Sequence, residues 1–294
     1  MFFKLIKYEW NAMMRRMLPV YITVLILAAF NYFLWGGPLK DFTERLNASE
    51  NSFLMSVGDF FRVLAAGLYI CVLIALFVIL FITIIQRFYR GLLKEEGYLM
   101  FTLPVRTGTL VTSKAVVSFL VMLPTVFVGL MSILFLSGNG VSELFTSIIN
   151  GCRELYRTGM QEVPRYVPHM ILYVLEFQVL VVVSTFADIY HLYLSMALGQ
   201  LSGSHRILMS VVWYIAIGIG GSMTSWYLLS AALSSAAFFS PLERLIEGIH
   251  LSAPDAVIIA IHACLLVVLA AELIWLIAEA IMTNYLLDKR LNLE

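Results

Sequence analysis

Charge is scarce in this chain. Only 13% of its 294 residues are Asp, Glu, Lys or Arg, about half the share found in soluble domains. Acidic and basic side chains balance at 19 each, which excludes a strongly basic nucleic-acid binder and an acidic disordered tail. Cysteine is nearly absent. Cys71, Cys152 and Cys264 lie far apart without metal-type spacing, so neither a disulfide framework nor a zinc module is encoded. Phosphate-cradling chemistry is missing as well: no Gly-Lys pair occurs, and a P-loop needs that lysine beside its backbone amides. No histidine precedes a glutamate, which removes the HExxH metalloprotease arrangement. No G-x-S-x-G nucleophile elbow is present. The sequence therefore offers no catalytic set and no nucleotide site of these kinds.

Apolar residues fill the space that charge leaves, at 61% of the chain. A soluble core cannot hide that much apolar surface. Runs with little or no charge cover residues 18–34, 63–86, 115–137, 168–201, 207–229 and 256–287. Each is close to or beyond the roughly 20 residues that a helix needs to cross hydrocarbon. None alternates like a barrel strand. The expected fold is all-α, a single polytopic membrane domain with six transmembrane helices. The fifth run continues without charge to Leu242, too long for one upright helix. A re-entrant element before the last span is expected there.

Six spans place both termini on one side of the membrane. Twelve basic residues flank the spans on that side, at Lys4, Lys7, Arg15, Arg16, Arg87, Arg90, Lys94, Arg106, Lys114, Arg206, Lys289 and Arg290, against seven on the other. The positive-inside bias assigns the termini to the cytoplasm of a cell membrane. The first apolar run lacks a small-x-small cleavage site, so it reads as a retained signal anchor. Residues 1–16 read as an interfacial helix on the lipid bilayer, with Lys4, Lys7, Asn11 and Arg15 on one stripe and Trp10 at the boundary. Pro19 marks the expected turn into the first span. Residues 138–167 form the main outer loop, with a short amphipathic helix over 141–156.

The stretch between the second and third spans, residues 87–114, places Tyr98, Leu99, Phe101 and Leu103 in a polar compartment beside Glu95 and Glu96. A compact apolar cluster that lies neither in lipid nor in a soluble domain calls for a partner to cover it. Four acids lie inside apolar runs: Glu176 and Asp188 in the fourth, Glu272 and Glu279 in the sixth. A mid-membrane charge costs about 3 kcal/mol on insertion scales. Asp188 is too far along its helix from Glu176 to join it, roughly 18 Å at 1.5 Å per residue. Asp188 and Glu272 are therefore the candidate lining of a translocation path. Glu279 is expected near the interface, and His262 as a satisfied packing residue rather than a ligand.

The segments FFKLIKYEW and KEEGYLMFTLPVRTGTLVTSK, with six spans around them, resemble membrane subunits of ABC-2-type exporters of Gram-positive bacteria. The likeness covers the whole chain in layout, but is specific only over the first twenty or so residues and Lys94–Lys114. It implies a coupling helix that docks on a separate ATPase, carried here by Glu95, Glu96, Gly97, Tyr98, Leu99, Phe101, Thr102 and Leu103. It further implies a second membrane subunit, identical or homologous, and ATP with Mg on the ATPase rather than on this chain. The longer outer loop and the acidic fourth span depart from the family's pattern. Two other readings stay open. One is a secondary transporter coupled to ions or protons; the other is an intramembrane metal-dependent enzyme using Asp188, His191 and Glu272.

Overall fold

The computed structural model describes residues 2–35, 52–93, 105–136, 141–162, 167–202, 205–234 and 253–289. They form seven helices: α1 (Phe2–Trp35), α2 (Ser52–Leu93), α3 (Thr107–Leu136), α4 (Val141–Glu162), α5 (Val167–Gln200), α6 (Arg206–Ser234) and α7 (Ala253–Lys289). There is no strand among the described residues. All except α4 are long and apolar enough to cross a membrane, because lipid leaves a spanning backbone no partner but itself. The chain is a multi-pass membrane protein. The coupling-segment residues Glu95 to Leu103 lie outside the described residues, as do residues 235–252 of the re-entrant element expected between Leu229 and Asp255; residues 230–234 of that stretch continue α6.

The helices group into two compact units. The first comprises residues 1–87 and 116–155. Its α1 buries one seam, Met13, Met17, Tyr21, Val24 and Ala28, at the three- and four-residue spacing of a packed helix face. Lys4, Lys7, Asn11 and Arg15 point away from that seam and are exposed, while Trp10 is half-buried. The turn expected at Pro19 is absent: α1 runs through it as one helix of 34 residues. A proline removes one backbone donor, and the seam remains packed on both sides of it.

Apolar burial gives helices little reason to associate in lipid, so polar side chains and close packing must join them. In this unit Tyr21 bonds the Thr125 hydroxyl at 2.7 Å and Tyr69 bonds Ser132 at 2.8 Å. Asn31 donates to the Ala65 carbonyl at 3.3 Å. Arg87 pairs with the Glu9 carboxylate, which is only 3% exposed. These links run α1 antiparallel to α2. The part of the amphipathic α4 in this unit carries Ile148, Ile149, Cys152 and Leu155 at helical spacing, all of them exposed.

The second unit comprises residues 88–115 and 156–294. It contains α5, α6 and α7 together with the last turns of α2 and the first turns of α3. α5 lies at its centre and packs on both α6 and α7. Leu194, Ala197 and Leu286 form its small apolar core, with Leu198 and Ile217 against them. The α5–α6 connection is short and turns at His205, whose φ of 59° is left-handed. At Gly199, in the last turn of α5, a Cβ would fall 2.0 Å from Ser210 Oγ and 2.7 Å from the Ser210 nitrogen. Only glycine lets the two backbones meet there.

Candidate functional site

The helical registers of α5 and α7 decide which polar groups meet. His191 Nδ1 lies 2.8 Å from Glu279 Oε1, and Glu176 reaches His262 Nδ1 at 2.8 and 2.9 Å through its two oxygens. Moving from the Glu176 contact to the His191 contact advances the chain 15 residues on α5 and 17 on α7, so the two helices run parallel. Each contributes one carboxylate and one histidine. The result is two carboxylate–histidine pairs at different depths in spanning helices.

Glu279 is 3% exposed and its partner side chain 12%. The expectation that Glu279 simply meets the interface is therefore corrected: its helical phase turns it onto α5, where His191 holds it. His191 also places Nε2 3.1 Å from the Tyr214 carbonyl of α6. A carbonyl oxygen only accepts, so Nε2 carries hydrogen. One further proton is then shared between Nδ1 and Glu279, and the pair is neutral overall whichever group holds it. A buried pair without net charge avoids most of the penalty of an isolated buried ion. The pair ties three helices together.

Asp188 precedes His191 by three residues and is exposed on α5, while Glu272 is partly exposed on α7. In the parallel register set by His191 and Glu279, Glu272 lies about one turn from the level of Asp188. No hydrogen bond or ion pair among the described residues joins them. The structure thus leaves both sequence-derived path candidates open at the surface of this unit. Ser184 and Thr185, one turn before Asp188, spend their hydroxyls on the Val181 carbonyl. Neither a protein family, a curated protein nor a solved structure matches the chain.

For a metal centre the geometry is unsupportive. Both ring nitrogens of His191 point to other partners, and the described residues hold no metal-binding group of three or more His, Cys, Asp or Glu. His262 is satisfied at both ring nitrogens. Its Nε2 lies 3.1 Å from His169 Nδ1, and Tyr173 lies over its ring at 4.3 Å between centroids. These pairings were hidden from sequence reading because they depend on the relative register of α5 and α7. The signal was faint but present: a Glu and a His on each helix, at nearly matching separations and in opposite order.

The stems that flank the 94–104 segment both belong to the α5–α7 unit. Phe88 of α2 stacks on Tyr193 of α5 with centroids 4.0 Å apart. Thr112 of α3 lies 3.2 Å from the Tyr190 hydroxyl. Gly91 leaves room for the buried Lys114, because a Cβ there would sit 2.7 Å from its Nζ.

Proposed function

We propose that this chain is the membrane subunit of an ATP-driven exporter of the ABC-2 type. It moves a substrate outward across the cell membrane while a separate subunit hydrolyses ATP. The observation that carries transport is the exposure of Asp188 on a spanning helix, with Glu272 partly exposed beside it on another. Acids in that position are too costly to face lipid. They face water or protein, and a second membrane subunit, identical or homologous, closes the path around them.

The link to an ATPase rests on the resemblance at residues 94–114 and on the missing P-loop. The construction of the stems supports it: a push on Glu95–Leu103 acts directly on α5 through Phe88–Tyr193 and Thr112–Tyr190. ATP and Mg belong to the partner. In this reading both termini are cytoplasmic, Lys4, Lys7, Trp10 and Arg15 sit at the inner membrane interface, and a re-entrant element precedes α7.

Two measurements test the reading. Tagged wild-type protein is expected to co-purify with an ATPase, and the double variant Tyr98→Ala with Phe101→Ala is expected to lose it while still inserting. A buried aromatic anchor typically contributes about 2 kcal/mol or more, so two should reduce retention at least about a hundredfold. Undiminished co-purification removes the docking assignment. In the assembled complex, Asp188→Asn keeps shape and hydrogen-bonding capacity without the charge. It is expected to preserve assembly and to lower substrate-stimulated ATP turnover. Normal turnover in Asp188→Asn, with failed assembly in Asp188→Leu, would make the residue structural instead.

A second reading, proton-coupled transport without an ATPase, is favoured by the two carboxylate–histidine pairs. Substrate movement driven by an imposed proton gradient in liposomes holding this protein alone decides for it.

A further inference from the structure

The two pairs share their chemistry but not their wiring. At His191 the far nitrogen donates to a backbone carbonyl, which has no proton to pass on. At His262 the far nitrogen meets a second imidazole, His169, 3.1 Å away. His169 stands in the first turn of α5, which begins at Val167. Glu176 lies seven residues further along, roughly 10 Å at 1.5 Å per residue. Among the described residues nothing hydrogen-bonds His169 Nε2. The chain of contacts therefore starts at the end of a spanning helix and stops at a carboxylate two turns inside it.

We propose that His169, His262 and Glu176 form a proton-loading relay, with water as the proton source and the Glu176–His262 pair as the place where the proton is stored. The bonding pattern follows from donor rules. An ionised Glu176 accepts from His262 Nδ1–H. Neutral His262 then has a bare Nε2, which accepts from His169 Nδ1–H, and His169 Nε2 keeps its lone pair. A proton bound at His169 Nε2 lets the Nδ1 hydrogen of His169 pass to His262 Nε2. His262 becomes an imidazolium, still donating to the Glu176 carboxylate, and His169 is left neutral with hydrogen on Nε2. The incoming proton leaves an O–H bond of hydronium, which becomes water; within the cluster only N–H bonds are made and broken. The cluster goes from one negative charge to none, and the reverse steps release the proton.

The surroundings leave few competing groups. Among the described residues, the ionisable side chains at this cluster are His169, Tyr173 and Glu176 from α5, and His262 from α7. Tyr173 donates its hydroxyl hydrogen to the Ile258 carbonyl at 3.2 Å, so it does not accept the relay's proton along that bond. α6 carries no acidic, basic or histidine side chain from Ile207 to Ser234. An unloaded carboxylate in a spanning helix is costly toward lipid, whereas the loaded cluster is neutral. Loading thus sets whether this end of α5 and α7 tolerates lipid or demands water. The relay does not depend on the ATP-driven reading.

The test uses the full chain, histidine-labelled with ¹³C and ¹⁵N, in phosphatidylcholine nanodiscs across a pH series. At high pH both His169 and His262 are expected in the Nδ1–H form. On acidification His262 should gain its second hydrogen in the same step in which His169 switches to Nε2–H. Nε2–H on neutral His262, or an imidazolium at His262 with no switch at His169, overturns the relay. His169→Gln still donates one N–H to His262 but cannot pass a proton. It is expected to slow exchange of the His262 ring hydrogens with water about a hundredfold, leaving Nδ1–H on Glu176. Unchanged exchange refutes the route through His169. His191, which has no second imidazole, serves as the internal reference.

Discussion

Gly199→Ala is expected to separate α5 from α6 and to abolish assembly of the α5–α7 unit. The new methyl would fall 2.0 Å from Ser210 Oγ, 2.7 Å from its nitrogen and 2.8 Å from its Cα. The hydroxyl can rotate, but the two backbone atoms belong to the second turn of α6 and cannot yield without moving that helix. Overpacking of a close core typically costs about 1–3 kcal/mol, and more when backbone must shift. This contact belongs to the upper end. A thermal-shift measurement in detergent should show a large loss of melting temperature or no folded protein. Ser210→Ala relieves only the hydroxyl contact, so the double variant is expected to stay destabilised. Wild-type stability in Gly199→Ala would mean that the two helices are not in backbone contact at this turn.

The second large effect concerns Glu279. Because His191 Nε2 already donates to the Tyr214 carbonyl, a neutral His191 presents Nδ1 as an acceptor. A glutamine introduced in place of Glu279 would donate an amide hydrogen to it, so Glu279→Gln is expected to keep three helices tied at a cost below about 1 kcal/mol. Glu279→Ala removes the partner and opens a cavity at a site only 3% exposed. Its cost is about 2–4 kcal/mol, combining an unsatisfied buried nitrogen with lost packing. Chemical-denaturation midpoints of the two variants should separate clearly. Equal destabilisation by Gln and Ala would show that the charge, rather than the hydrogen bond, holds the helices.

Both variants also separate structure from transport. Glu279 and His191 are closed into the α5–α6–α7 contact, whereas Asp188 stands exposed on the same helix as His191, one turn earlier. A loss of turnover in Asp188→Asn without a loss of stability would place function on the open face. The bonded pair would then be the framework that presents that face.

Composition alone determined that this protein lives in a membrane, because so few charges and so many apolar residues admit no other solvent. Run length determined the number of spanning helices, since the hydrocarbon thickness sets a minimum that five of the runs clear and the first nearly reaches. The exposed stripe Lys4, Lys7, Asn11 and Arg15 on α1 was legible for a similar reason: a helix period of about 3.6 residues is local and needs no knowledge of neighbours. The continuity of α1 through Pro19 was not legible, because a proline's effect on a helix depends on whether packing spans it. Nor was the pairing of Glu176 with His262 and of His191 with Glu279. Within an apolar span every phase of the helix reads alike, and only the register between α5 and α7 brings a particular acid to a particular histidine. Tertiary structure decided that Glu279 is buried and Asp188 is not, although both began as lone acids in hydrophobic runs. The physical cause is rotation about the helix axis, which hydropathy does not encode and helix packing does.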